Sequence, residues 1–270
     1  MEKALFMIVI LYLIFLIYKA NKNTKDVVIN SIALPHQKLL TQQDFTILHL
    51  SDLHLENISV SPDELLEIVS EKPVDLIALT GDFLDRKRSI PRLIPYLKAL
   101  QTLKPRLGMF AVFGNHDYVL KGENFDLLKS TLEDNGVTTL QNEHLTLEVN
   151  GANLNIIGID DYSTNRSDIK KSYSNLPEGY NLVLTHDPNI VLEMEDREYD
   201  YLLSGHFHGG QIHWPKPYHL AKMGKLVSMN MVKGLHHHQG KPFYISEGLG
   251  QTGVNIRVGS RPEITFHQIS

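Results

Sequence analysis

Five short stretches of this chain set carboxylates, amides and imidazoles close together: Asp52-Leu53-His54, Asp82 with Asp85, Asn115-His116-Asp117, a lone His186, and His206-Phe207-His208. An extended backbone puts residues i and i+2 on one side. Asp52 and His54 are therefore expected to aim at one point, and His206 and His208 to repeat the device. Collected, the set Asp52, His54, Asp82, Asn115, His116, His186, His206 and His208 offers carboxylates, an amide oxygen and imidazoles, with no thiolate. That mixture suits Mn²⁺, Fe²⁺ or Zn²⁺ better than Mg²⁺ or Ca²⁺, which favour all-oxygen shells. The donors are too many for one ion and fit two ions sharing a bridging carboxylate. Two ions ~3.5–4 Å apart can clamp an in-line displacement at phosphorus and lower the pKa of a shared water until hydroxide exists near neutral pH.

Each stretch follows an apolar run read as a buried strand. Phe45–Leu50 precedes Asp52, 74–80 precedes Asp82, 109–113 precedes Asn115, 182–185 precedes His186, and 201–203 precedes His206. Open α/β sheets bind ligands beyond the carboxyl ends of their strands, so these positions are where chemistry is expected. Between the strands, Ser61-Pro62-Asp63-Glu64 opens a helix with a cap, a first-turn proline and acids at its positive end. Helices are also expected over 90–103, 123–135 and 189–195. Residues 146–149 and 154–159 alternate around Asn150-Gly151, a type I′ hairpin signal. Strands at 243–246 and 264–269 close the sheet.

The chain has 270 residues, an ordinary apolar fraction, net charge −5 and no cysteine. One large domain is expected. Disulfides, Cys-ligated zinc and a thiol nucleophile are excluded, and the charge gives no reason to expect nucleic-acid binding. Ala4 to Tyr18 is apolar throughout and flanked by Lys3 and Lys19. It is shorter than the ~20 residues a bilayer core usually needs, a gap that snorkelling lysines and local thinning can close. No small-residue cleavage site follows it, so an uncleaved anchor is favoured over a signal peptide. Lys19, Lys22 and Lys25 put the C-terminal side in the cytoplasm under the positive-inside rule. The expected organisation is an anchor over 1–20, a linker or first edge strand over 21–44, and the catalytic domain over 45–270.

The ordered series Asp-x-His, Gly-Asp-x-x-Asp, Gly-Asn-His-Asp, a lone His and Gly-His-x-His resembles the calcineurin-like metallophosphoesterase superfamily across residues 45–268. The resemblance implies an α/β fold, a four-layer αββα sandwich of two mixed sheets, here preceded by one transmembrane helix. It implies that Asp52, His54 and His208 hold one metal, that Asp82 bridges, and that Asn115, His186 and His206 complete the second. His116 would act beside the leaving group, while Asp85 and Asp117 would orient imidazoles. Phe207 stands where relatives carry Ser or Thr; on an extended segment it would point away from the metals. The anchor, Gly-His-x-His-Gly-Gly-Gln, Gly248-Leu249-Gly250 and Arg257 resemble the bacterial membrane-associated branch that includes UDP-2,3-diacylglucosamine pyrophosphatase-like enzymes. A lipid-linked phosphodiester or pyrophosphate is the substrate this implies. Manganese is the favoured metal, with iron or zinc as alternatives.

Other histidines are read as bland. His49 alternates with Leu48 and Leu50 and is expected to pack. His36, His144 and His267 are expected at the surface or core edge, and His236-His237-His238 at a solvated loop tip. Residues 211–246 contain no acid but carry Lys216, Lys222, Lys225, Lys233, Lys241 and Trp214. This stretch is either a solvated connector or a lid drawing anionic substrate or an anionic membrane, which makes Trp214, Lys222, Lys225 and Arg257 candidate substrate contacts. Two other functions compete: a phosphodiesterase for soluble nucleotides or cyclic nucleotides, and a tethered scaffold without activity. The complete donor set argues against the scaffold.

Overall fold

The computed structural model describes residues 2–35, 45–149 and 151–270. His36, the last part of the expected linker (36–44) and Asn150 of the hairpin turn lie outside them. The first half of the chain runs α1 (Glu2–Lys22), β1 (Val28–Leu34), β2 (Phe45–Leu50), α2 (Pro62–Val69), β3 (Leu76–Thr80), α3 (Ile90–Gln101), β4 (Gly108–Val112), α4 (Glu123–Asp134) and β5 (Val137–Thr139). The second half runs β6 (Glu143–Val149), β7 (Ala152–Gly158), α5 (Ile169–Ser172), β8 (Tyr180–Leu184), β9 (Tyr201–Ser204), α6 (Lys225–Ser228), β10 (Gly234–His238), β11 (Lys241–Ile245) and β12 (Glu263–Ile269).

These strands form two six-stranded sheets, ordered β1-β12-β2-β3-β4-β5 and β10-β11-β9-β8-β7-β6. Both are mixed. In the first, β2 to β5 are parallel and β12 runs antiparallel to β2. In the second, β11, β9, β8 and β7 are parallel, with antiparallel strands at both edges. The central strands β3, β8 and β9 are buried at every position, as covering on both faces requires.

Strand alternation then sorts side chains into layers. Phe45 and Ile47 of β2 meet Tyr201 and Leu203 of β9 between the sheets, while Leu48 and Leu50 turn outward under α2, α3 and α4. Leu202 of β9 faces the other way, into a third cluster with Ile190, Leu220 and Leu226. The result is the expected αββα sandwich. Helix α2 starts as its sequence dictates: the Ser61 hydroxyl accepts from the Glu64 N–H at 3.2 Å, and the Glu64 carboxylate accepts from the Ser61 N–H at 2.7 Å, a reciprocal cap.

Two bland readings are corrected. His267 is buried between the sheets, its Nδ1 2.8 Å from the Tyr201 hydroxyl, because β12 is an interior strand. His236 to His238 form edge strand β10 rather than a loop tip. The segment after α1 includes the edge strand β1, paired in parallel with β12. Helix α1 is exposed along its length with only Ala20 buried. It is long and apolar enough to cross a membrane, and at ~1.5 Å per residue it spans roughly 30 Å, the thickness of a bilayer core.

Candidate metal centre

The parallel strands β2, β3, β4, β8 and β9 all end at one edge of the sandwich, and the donor residues follow each end. Their convergence does not come from extended backbone, as expected from the i, i+2 spacing. Strand β2 stops at Leu50, and Asp52 and His54 have φ of 50° and 36°. Asp82 (54°), His206 (75°) and His208 (50°) are left-handed too. Non-glycine residues adopt this region at a cost, and such strain collects at functional sites. The ends of β2, β3 and β9 thus turn sharply, whereas Asn115 and His186, after β4 and β8, are not left-handed. Phe207 is fully buried against the outer face of the second sheet. It does point away from the donors, but from a tight turn rather than a strand.

Two clusters with no residue in common result: Asp52, His54 and His208 have ligand-type atoms mutually within 4.8 Å, and so do Asp82, His186 and His206, while a third group, His54, Asp82 and His116, overlaps both. In the first, His208 Nε2 is 3.2 Å from Asp52 Oδ1 and 3.1 Å from His54 Nε2. In the second, His186 Nε2 is 3.0 Å from Asp82 Oδ2 and 3.1 Å from His206 Nδ1. Asp82 Oδ2 also lies 3.5 Å from His54 Nε2, so this one carboxylate faces both clusters. The Asn115 Oδ1 is buried with no hydrogen-bond partner. Glycines permit this density. A Cβ at Gly114 would collide with the Asp82 carboxylate and the His186 ring, and one at Gly205 with Ser51 and Asp52.

The donors fit divalent cations. His186 Nδ1 sits 2.7 Å from the Thr80 carbonyl. A carbonyl only accepts, so Nδ1 carries hydrogen and the Nε2 lone pair of the neutral ring faces Asp82 and His206. Lone pairs aimed at a carboxylate need a proton or a metal between them. Burial disfavours charge on His186, yet the Asp82 charge and hydrogen bond raise its pKa well above the usual range. Asp52 and Asp82 resist burial in the opposite sense, held well below the usual carboxylate range by His208 and His186 respectively. Burial lowers His206, and lowers His208 to about 4, so both rings offer lone pairs at neutral pH.

His116 lies against the same site, its ring centroid 4.7 Å from that of His54. Its ring is part-exposed, with Nδ1 2.6 Å from Asp85 Oδ1. Burial pulls its pKa down, but the Asp85 hydrogen bond and the Asp82 and Asp85 charges outweigh this and raise it to about 9. Asp85 thus contacts an imidazole directly. Asp117 does not: its carboxylate accepts from the backbone N–H of Asp82 and Phe83 at 2.8 Å and of Gly114 at 2.9 Å. It ties the tips of β3 and β4 together. His49 is buried, 2.8 Å from the Thr80 hydroxyl, and burial lowers its pKa to about 3.

Of the four candidate substrate contacts, Lys222 and Lys225 line a cleft of about 560 Å³ beside His206, together with Tyr162, Asp187, Asn189 and Glu193. Trp214 is 76% exposed. Arg257 is corrected: it is fully buried, and its guanidinium donates to the carbonyls of Glu247, Gly248, Gly250 and Arg261. It organises the loop whose Leu249 and Gly250 N–H groups bond the Ser51 and Asp52 carbonyls. Sequence reasoning missed Ser51, whose hydroxyl donates to Asp52 at 2.6 Å, and Ser260, which donates to the His208 carbonyl at 2.7 Å. Ser260 acts across 52 residues and leaves no local pattern, and Ser51, though next to Asp52, is a common residue type with no signal of its own.

The family model for the calcineurin-like phosphoesterases matches residues 45–210. Metallophosphoesterase YkoQ of Bacillus subtilis (strain 168) is 69% identical over 96% of this chain and 97% of its own length. Phosphodiesterase YaeI of Escherichia coli (strain K12) is 30% identical over 83% of this chain and 82% of its own. UDP-2,3-diacylglucosamine pyrophosphatase LpxG of Chlamydia trachomatis is 28% identical over 81% of each. The matched stretch runs from the first residue of β2 to just past His208 and so takes in every donor of both clusters; the chain belongs to the calcineurin-like metallophosphoesterases and is a phosphoester hydrolase.

Proposed function

We propose that this chain is a membrane-anchored, dinuclear metallohydrolase that cleaves a phosphodiester or pyrophosphate bond of a lipid-linked substrate. The observation that carries the dinuclear reading is Asp82, whose carboxylate faces Asp52-His54-His208 on one side and His186-His206 on the other. In this reading Asp52, His54 and His208 would hold one ion, Asn115, His186 and His206 the other, and Asp82 would serve both. Bound there, a pair such as Mn²⁺, or iron or zinc, supplies Lewis acidity for the attacking water and for the phosphoryl oxygens. His116, kept protonated at neutral pH by Asp85, gives its proton to the departing oxygen. Asp117 fixes the Asp82 and Gly114 backbones against each other. Lys222 and Lys225 hold the anionic remainder of the substrate in the cleft beside His206.

The name of the Chlamydia relative and the apolar α1 support a lipid-linked substrate, with the domain on the cytoplasmic side as the flanking lysines suggest. The phosphodiesterase relative supports a soluble diester as the second reading. Hydrolysis of bis-p-nitrophenyl phosphate by metal-stripped protein resupplied with Mn²⁺ tests the enzyme. Asp82→Ala is expected to abolish it, and His116→Ala to lower kcat by about 10²–10³. Equal activity in all three proteins would end the proposal. A panel including UDP-2,3-diacylglucosamine, in mixed micelles and against soluble diesters, then separates the two substrate readings.

A further inference from the structure

Helix α1 is not tethered to the domain by a loose segment; its C-terminal end is bonded into the loop beneath the metal centre. The Ala20 carbonyl accepts from the Arg257 N–H at 2.9 Å. The Asn21 and Asn23 side chains donate to the Asn255 and Arg257 carbonyls at 2.7 and 2.8 Å. Arg261 reaches Asp26 at 3.0 Å, and the Thr24 hydroxyl meets that of Ser59 at 2.7 Å. The same loop carries the segment that follows His208. His213 N–H donates to Val258 at 2.7 Å, Val258 N–H to Gln211 at 2.8 Å, and the Gln211 amide to Thr252 and Val254 at 3.0 Å.

Three neighbouring segments thus form one strip: the helix end, 254–258 and 211–214. The large apolar side chains this strip exposes are Ile212 at 37%, Trp214 at 76% and Val254 at 57%. Lys22, Lys25 and Lys216 are exposed around them, and the stretch 211–246 has no acid. An exposed tryptophan with apolar neighbours and a cationic rim is the composition of a membrane–water interface, and here it continues directly from the helix that would cross the membrane.

We propose that the Ile212-Trp214-Val254 strip rests on the phospholipid surface that α1 crosses, which seats the loop bearing His206 and His208 at headgroup level. This rests on the membrane-anchored reading above, but not on the chemistry. The docked helix end fixes the orientation of the domain on the bilayer.

Trp214 is the chain's one tryptophan, so its fluorescence reports the strip alone. The full chain in nanodiscs of phosphatidylcholine and phosphatidylglycerol is compared with nanodiscs carrying lipids brominated near the headgroup, with Trp214→Phe as the blank. Expected is a loss of about half the emission or more, with weak quenching by aqueous acrylamide, as interfacial tryptophans behave. Asn21→Ala/Asn23→Ala, which loosens the dock, is expected to halve the lipid quenching while α1 stays resistant to alkaline extraction. Unquenched Trp214 with α1 inserted overturns this proposal and spares the anchored reading. Extraction of the wild-type chain at alkaline pH overturns both, and equal quenching in the double variant overturns the role of the dock.

Discussion

In the proposed mechanism, His116 and Asp85 form the pair whose protonation sets the pH dependence. The part-buried His116 ring keeps its proton because the Asp85 hydrogen bond and the nearby carboxylate charges outweigh burial, raising its pKa to about 9. Activity that needs His116 charged is full below that pKa and is lost as pH rises through it. Removing the Asp85 charge lowers the pKa, so Asp85→Asn is expected to move the alkaline limb of the kcat profile toward lower pH, by about one unit or more. Bound dications also lower it, but in both proteins alike, so the difference survives. An unmoved limb would remove His116 as the acid. The residue scale also shows what the sequence concealed. The seven candidate donors were legible as an ordered series, and the structure brings six of them, Asp52, His54, Asp82, His186, His206 and His208, into two groups. The left-handed backbone at Asp52, His54, Asp82, His206 and His208 was not, because only tertiary closure of the edge supports such strain. Gly205 records the same crowding: Gly205→Ala is expected to destabilise the protein by about 1–3 kcal/mol, from the clash with Ser51 and Asp52, as read by urea unfolding.

Elements announce themselves when local signals agree. The 62–69 helix was legible from Ser61, Pro62 and Glu64, and the reciprocal cap forms as those residues require. Ser61→Ala is expected to cost about 1 kcal/mol, again by urea unfolding. The strands at the sandwich centre were legible as unbroken apolar runs. The short β5, the edge strand β10 with its histidines, and the brief α5 and α6 were not, since their sequences carry neither run nor period and they form by pairing with or packing on what is already there. Arg257 misled for a related reason. An arginine after a glycine-rich loop suits anion binding, yet here the carbonyls of its own loop use its donors. Arg257→Ala leaves several buried acceptors unpaired and is expected to lose about 3 kcal/mol or more. Arg257→Lys is expected to recover only part of it, because an ammonium cannot reproduce the planar fork.

At the scale of the molecule, the two sheets were foreseen from a resemblance rather than from pattern. Apolar runs say that strands are buried, not how they divide between sheets. The division has a physical consequence through the metal centre. Asp52, His54, Asp82 and Asn115 follow strands of the first sheet, and His186, His206 and His208 follow strands of the second. An ion held between His54 and His208 ties together positions 154 residues apart in the chain. In polymer terms it is a reversible cross-link. Closing a loop of that length removes about 5 kcal/mol of chain entropy from the unfolded state on the disulfide model, provided the ion stays on both residues. The protein with Mn²⁺ is therefore expected to melt well above the EDTA-treated protein, by several degrees in scanning calorimetry. Asp52→Ala is expected to shrink that gap. Holding the sandwich shut and hydrolysing the ester would then draw on the same ions, so metal starvation should cost this protein its persistence as well as its activity.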